Sequence, residues 1–558
     1  MNKIPFTIIA ILLLPGCSLQ TKKEAKLTPG PRIVNIINFI RQSEPRDQSF
    51  TEKVLYETVN QQVKLLSKYN LPGTFLLQYD ALINPKYQSL LKNELNSGSE
   101  IGAWWEITQP HVEAAGMVWR GRYSWDWEAH VGFATGYTPI EREKLVDVYM
   151  EKFQSVFGYY PASVGSWFID AHTLAYMYDK YHIIASCNCK DQYGTDGYTL
   201  WGGYWNQAYY PSRKNAYMPA QTEESQIPVP VFRMLGSDPI YQYDCGLGGN
   251  RQGVESLEPV YEHGGGSRQW VEWFFKCIFD EPCLAFNYTQ AGQENSFSWN
   301  SMKKGLEMQI PILDSLSRAN KIRIETLGES GKWFREKFRV TPATAVTALT
   351  DHRNEGRKTI WFNSRFYRVN LLWKDQSFRF RDIHLFDERL ESDYLTKAGT
   401  STQCIYSTLP VVDGFLWSTP DQLAGLRLMR ETTLGNWEEV KLGNPIVTEV
   451  AANELQVECI GNFKEKYRMI FYEDRFEISC PEQESAISWM LELRTAPGKA
   501  LPFQSMNDRQ INATLNGFSY SIICKAGKVE TPVKPASYIF RLIPANNKLI
   551  IDCSYRNN

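Results

Sequence analysis

The chain is short of histidine, with 7 in 558 residues. A site built on several imidazole ligands is hard to assemble from so few, and each of His111, His130 and His172 reads first as a hydrogen-bonded structural residue. A charge excess is also missing. The 60 basic and 62 acidic side chains leave a formal charge of -2, without the basic surface that nucleic acid requires, so no nucleic-acid partner is expected. Beyond the N-terminus no apolar run is long enough to cross a bilayer, and no internal repeat or low-complexity segment is found. The 11 cysteines show no small-domain disulfide framework. Cys187 and Cys189 are too close for a zinc knuckle, and Cys277 and Cys283 either pair across a short loop or are buried thiols.

What the chain does have begins at its first residues. Lys3 precedes an apolar run over residues 4–14, followed by Pro15-Gly16-Cys17. The run is too brief for a membrane-spanning helix and has the layout of an export signal. It resembles the bacterial lipoprotein signal, which implies that Cys17 is lipidated and that the rest of the chain is anchored in the cell envelope, at the bacterial outer membrane. Residues 1–17 are then the signal and 18–30 a polar tether.

Aromatics are plentiful: 17 Trp, 30 Tyr and 28 Phe. Many stand among polar residues, as at Trp104-Trp105-Glu106, Trp125-Asp126-Trp127-Glu128 and across residues 193–210. Aromatic faces stack on the C–H faces of sugars while neighbouring polar groups bond the hydroxyls, so an oligo- or polysaccharide is the expected partner.

From residue 31 the pattern alternates. Apolar β runs at 32–39, 73–77, 100–103, 162–167, 183–186, 229–235, 284–288 and 322–324 are separated by helical periodicity at 51–69, 87–96, 138–157, 172–181, 270–279 and 299–319. Such alternation predicts parallel strands with crossover helices, and seven or eight of them fit a barrel better than an open sheet. Near residues 341–344 the pattern changes to short strand-like runs divided by turns, which predicts an antiparallel β-sandwich. The expected architecture is α/β, with a barrel over 31–340 and a sandwich over 345–558.

Gly73-Thr74-Phe75-Leu76-Leu77, Glu100-Ile101-Gly102 and Gly165-Ser166-Trp167-Phe168-Ile169-Asp170 resemble the polysaccharide deacetylase superfamily and its glycoside hydrolase relatives, over about residues 31–335. The resemblance implies an irregular barrel of about seven β/α units. Its metal-dependent members carry an aspartate pair after the first strand and a His-x-x-x-His pair after the Glu-Ile-Gly strand. This chain has Asn38-Phe39-Ile40-Arg41 at the first place and Trp104 where the first histidine falls. A cation needs about three lone-pair ligands, so no metal and no other cofactor is expected.

The metal-independent relatives point to glycoside hydrolase family 57. By that resemblance Asp170 falls on the nucleophile, as an aspartate where the family has a glutamate, and Glu294 falls on the acid. Glycosidic cleavage needs two carboxyls whose surroundings set their pKa values apart. The candidates at predicted strand ends are Glu106, Asp170, Asp191, Asp196, Asp238 and Glu294. Asp196-Gly197 and Asp238-Pro239 also read as turns, and Asp80 as a cap before Pro85. The expected catalytic residues are Asp170, Glu294 and Glu106. Trp104, Trp105, His111, Asp191, Asp196, Trp201, Trp205, Asn206 and Asp238 are expected to bind substrate, the later ones on a long Gly-rich aromatic loop over 191–212. The expected activity is metal-independent glycoside hydrolysis. The alternatives are a catalytically silent glycan-binding lipoprotein, and a carbohydrate deacetylase or lyase with an atypical site.

Overall fold

The computed structural model describes residues 1, 29–189, 199–200, 203–249, 252–481, 488–531 and 538–556. The calls on Cys17, Asp191, Asp196 and Trp201 lie outside these residues.

The first half is organised by eight strands in parallel register: β1 Arg32–Ile40, β2 Thr74–Leu77, β3 Glu100–Trp104, β4 Ser163–Ser166, β5 Ala185–Asn188, β6 Val231–Arg233, β7 Asn287–Ala291 and β8 Arg323–Glu325. Their order is β7-β1-β2-β3-β4-β5-β6, with β8 also on β1 and a short antiparallel strand, Ala208–Tyr209, beyond β6. The sheet curls into a nearly closed barrel. Every residue of β1 after Arg32 is buried, the signature of a parallel strand covered on both faces.

The main helices between and after these strands are α1 Glu52–Tyr69, α2 Tyr79–Ile83, α3 Pro85–Glu94, α4 Pro139–Phe157, α5 Ala171–Tyr181, α6 Arg268–Phe279, α7 Trp299–Arg318 and α8 Leu327–Lys337. Their ends follow from local chemistry. Thr138 and Glu141 form a reciprocal capping box at the start of α4, which satisfies otherwise orphaned amides. Gly158 closes the same helix at φ 85°, a left-handed conformation that glycine adopts without cost. The strand expected at 284–288 begins later, at Asn287, because Leu284 turns out of the sheet at φ 64°.

From β9 Thr344–Ala348 onward the strands of the two large sheets are antiparallel, while the short Ile405–Tyr406 pairs in parallel with Thr199–Leu200. A 10-stranded sheet runs through Arg357–Asn363, Tyr367–Lys374 and Ser377–Leu385, and an 8-stranded sheet through Lys466–Phe471 and Arg475–Ser479. Rings meet between the two sheets: Phe362 on Phe471 at 5.7 Å and Phe380 on Phe476 at 5.8 Å. The barrel is fastened to this region by buried groups. Trp205 stacks on Trp361 at 4.0 Å, and Arg381 donates to the carbonyl of Ile240 at 2.8 Å. All ten cysteines among the described residues are unbridged, so Cys277 and Cys283 are thiols and do not form a pair.

Candidate functional site

The C-terminal ends of β1, β2, β3 and β7 converge on one side chain. Arg41 is the residue after β1, and its backbone is held by Asn295, whose side-chain oxygen accepts from the Arg41 amide at 2.9 Å while its nitrogen donates to the Arg41 carbonyl at 2.7 Å. The guanidinium forks onto Glu106, Nε to Oε2 at 2.9 Å and Nη2 to Oε1 at 2.6 Å. Its third nitrogen, Nη1, lies 3.0 Å from Glu294 and 3.7 Å from Glu44, and donates to Ser296 at 3.1 Å. Gln78, just after β2, donates to Glu106 at 2.8 Å. Bidentate, charge-assisted bonds of this kind are the strong and directional ones.

The cluster is dry. Arg41, Glu106 and Glu294 are each 1% exposed, and the Trp125 ring covers the guanidinium at 4.2 Å. Burial works against the charged form of Arg41, but the charges of Glu106 and Glu294 outweigh it and hold the guanidinium well above its ordinary pKa. Outside Trp125, Tyr123 and Trp127 stack at 5.6 Å, with Tyr123 exposed.

A fourth carboxyl adjoins this group. Asp80, in the first turn of α2, is buried, and burial pushes its carboxyl up to about 7; the amides of Ala81 and Asp80 oppose the rise and the Glu106 charge adds to it. Near neutral pH the site therefore holds a protonatable acid beside a glutamate salt-bridged by arginine, the kind of separation that acid–base chemistry uses. The folded pKa lies above the unfolded value near 3.9. The contribution of Asp80 to stability is thus full below about pH 4 and lost as pH rises through about 7. Asp80→Asn is expected to abolish this dependence and to gain up to about 4 kcal/mol on the wild type between pH 4 and 8, measured as urea midpoints across that range.

Asp170 is elsewhere. It is wholly buried and acts as the N-cap of α5, accepting from the Thr173 amide at 2.9 Å and from its hydroxyl at 2.7 Å. Its remaining partner is Arg142 at 2.9 Å, which also donates to the carbonyls of Tyr137 at 2.7 Å and Lys397 at 2.8 Å. The expected pairing of Asp170 with Glu294 is replaced by a cap and an ion pair that tie the barrel to the 394–397 segment. Asp170→Ala is expected to cost about 3–5 kcal/mol, from a lost cap and a buried arginine left without its carboxylate. Chemical denaturation checks this, and an unchanged midpoint would refute the structural role.

The aromatic residues expected to bind substrate are mostly used by the protein itself. Trp104 stacks on Phe39 at 3.9 Å and meets Trp167 edge-on. Trp105 packs against His111 and Tyr149. His111 is buried, donates from Nε2 to the Leu145 carbonyl at 2.8 Å, and stacks on Tyr79 at 4.5 Å; burial lowers its pKa to about 4. These three are core residues, because the faces available to a sugar are filled by neighbouring rings. Trp205 and Asn206 lie in the seam between the two regions, Asn206 donating to the Ser237 carbonyl at 3.0 Å. Asp238 is buried and accepts hydrogen bonds from Trp270 and His352.

Arg41, Gln78 and Asp80 were not among the expected site residues. The available signal was an arginine that ends an apolar strand at the place where the resembled enzymes carry metal-binding aspartates. The residues present do not fit a metal: the Arg41 cation already occupies the space among the carboxylates, and among the described residues no group of three or more His, Cys, Asp or Glu is placed to hold one.

Fold and cluster together define a mixed α/β protein with a nearly closed barrel and an arginine–carboxylate centre at its strand ends. A family model described as a domain of unknown function with a solved structure, DUF3863, matches residues 101–357. No curated protein matches the chain. A solved structure from Parabacteroides distasonis, described as a candidate glycoside hydrolase/deacetylase, is similar at a TM-score of 0.50 and 16% identity, over 65% of this chain and 86% of that one. A Mycobacterium smegmatis protein described as a candidate polysaccharide deacetylase is 12% identical, with a TM-score of 0.34 over 56% of this chain and 96% of its own. Puue allantoinase is 10% identical, with a TM-score of 0.34 over 56% and 93%. The likeness to the first of these is one of fold.

Proposed function

We propose that the chain is a metal-independent glycoside hydrolase, with Glu106 and Glu294 as the working carboxylates and Asp80 as the proton donor. One observation carries this reading: the two glutamates stand on Nη2 and Nη1 of a single guanidinium, at 2.6 and 3.0 Å. Their nearest oxygens therefore lie within about 8 Å of each other, so one cation gathers both carboxylates at a single centre. Glu106, fixed by Arg41 and Gln78, is oriented to attack or to activate water. Asp80 holds a proton below about pH 7 and can deliver it to a leaving oxygen, so turnover is expected to fall on the alkaline side. The stacked Tyr123 and Trp127 supply a platform for a sugar ring. A screen of glycans for new reducing ends, with Glu106→Gln as control, tests the reading; release by the wild type that persists undiminished in the control would sink it.

The burial of the cluster favours a second reading, a glycan-binding protein in which the same charges are structural. It predicts ligand binding without any release of reducing ends.

The signal-like N-terminus supports export and lipid anchoring at Cys17. Cys17→Ala is expected to move the protein from the membrane fraction to the soluble one with its fold unchanged, checked by fractionation. Retention in the membrane would point to another anchor.

A further inference from the structure

We infer that a cleft beside Asp238 and His352 is a second saccharide site, shaped for a neutral sugar and separate from the Arg41 cluster. The inference rests on reading the chain as carbohydrate-active and adds a site to that reading. The cleft has a volume of about 670 Å³ and opens between the loop after β6, the first turn of α6 and the loop after β9. That is room for one to a few sugar units.

Its polar floor is built. Asp238 has no exposed surface, and three donors fix it: the amides of Ile240 and Tyr241 and the indole N–H of Trp270, each at 2.8 Å. The fourth contact is His352 Nε2 at 3.1 Å, with the His352 side chain 10% exposed. Rings hold the imidazole in place, Trp273 at 4.6 Å and Tyr241 at 5.2 Å. Nε2 is thereby committed, and Nδ1 has no hydrogen-bond partner among the described residues on a ring that lines the cleft. An orienting carboxylate behind an imidazole with one free nitrogen is a prepared hydrogen-bonding point.

The charges in the walls decide the ligand class. Glu255 and Arg353 pair at 2.6 Å, and Glu262 and His263 stand at the rim. With Glu255 matched by Arg353, Glu262 leaves the walls one acid in excess, which disfavours an anionic ligand, whereas hydroxyls can bridge donors and acceptors alike. Gln269 donates to the His352 carbonyl at 3.2 Å and offers its remaining amide atoms at the opening. The cleft lies at the same end of the barrel as the Arg41 cluster, since Glu258, close to Glu255 in the chain, accepts from Gln293 beside Glu294 at 3.0 Å.

The test uses the full chain and neutral xylo-, gluco-, manno- and galacto-trisaccharides, with trigalacturonate as the charged comparison. Binding is read by calorimetry and by the fluorescence of Trp270 and Trp273. At least one neutral trisaccharide should bind saturably to the wild type and equally to Glu106→Gln. Affinity should fall at least tenfold in His352→Ala and in Glu255→Gln; Gln269→Ala, an exposed change that leaves the His352 packing alone, should weaken it measurably. Absence of neutral binding, binding of trigalacturonate alone, or binding that survives both Glu255→Gln and Gln269→Ala overturns the inference. Turnover without binding here, or binding here without turnover, separates its failure from that of the hydrolase reading.

Discussion

Glu106→Gln is expected to lower kcat by about 10³-fold or more while the protein stays folded. The amide keeps the size of the carboxylate, and its oxygen can still accept from Gln78 or Arg41. What it loses is the negative charge that attacks carbon or draws a proton from water. Arg41 retains Glu294, Glu44 and Ser296 as partners, so the buried cation is not stranded. The loss should fall on kcat, with KM little changed, because a carboxylate held on the Arg41 guanidinium contributes to the reacting centre more than to ground-state binding. Glu294→Gln should show the same pattern. Asp170→Ala, by contrast, should lose stability first. Wild-type kcat in Glu106→Gln would remove the hydrolase proposal.

Arg41→Met should be strongly destabilising, at about 3–5 kcal/mol near pH 7. The methionine fills part of the arginine's volume and takes away the buried cation that Glu106 and Glu294 share. Their pKa values in the folded variant should rise, so the deficit relative to the wild type should shrink as pH falls towards 4 and both carboxyls take up protons. Adding Glu106→Gln to Arg41→Met should restore part of the loss at pH 7, since one buried negative charge is then gone. Urea titrations of the three proteins across pH measure this. An Arg41→Met deficit that stays constant from pH 7 to 4 would show that lost packing, rather than the lost cation, sets the cost.

Much of the fold was legible because it is local. The continuous apolar run of β1 needs no partner to be recognised as a buried strand, the Thr138–Glu141 box and Gly158 mark both ends of α4 within the sequence itself, and the change of period near residue 344 marks where parallel strands give way to antiparallel ones.

The site was legible only in part: Glu106 and Glu294 were among the expected residues, whereas Arg41, Gln78 and Asp80 were not. Asp170 and Glu106 look alike in the sequence, each an acid just beyond an apolar strand. The backbone after β4 enters a helix at once and spends Asp170 on its first turn, whereas Glu106 lies where Arg41, distant in sequence, reaches it from β1. Trp104 and Trp127 are likewise both tryptophans among polar neighbours, yet one is packed on Phe39 and the other stacks with the exposed Tyr123. A side chain's periodicity and neighbours determine whether it belongs to a strand or a helix. Its partners come from segments brought together only when the sheet curls, and in a dry interior those partners decide which carboxyl keeps its charge and which holds its proton.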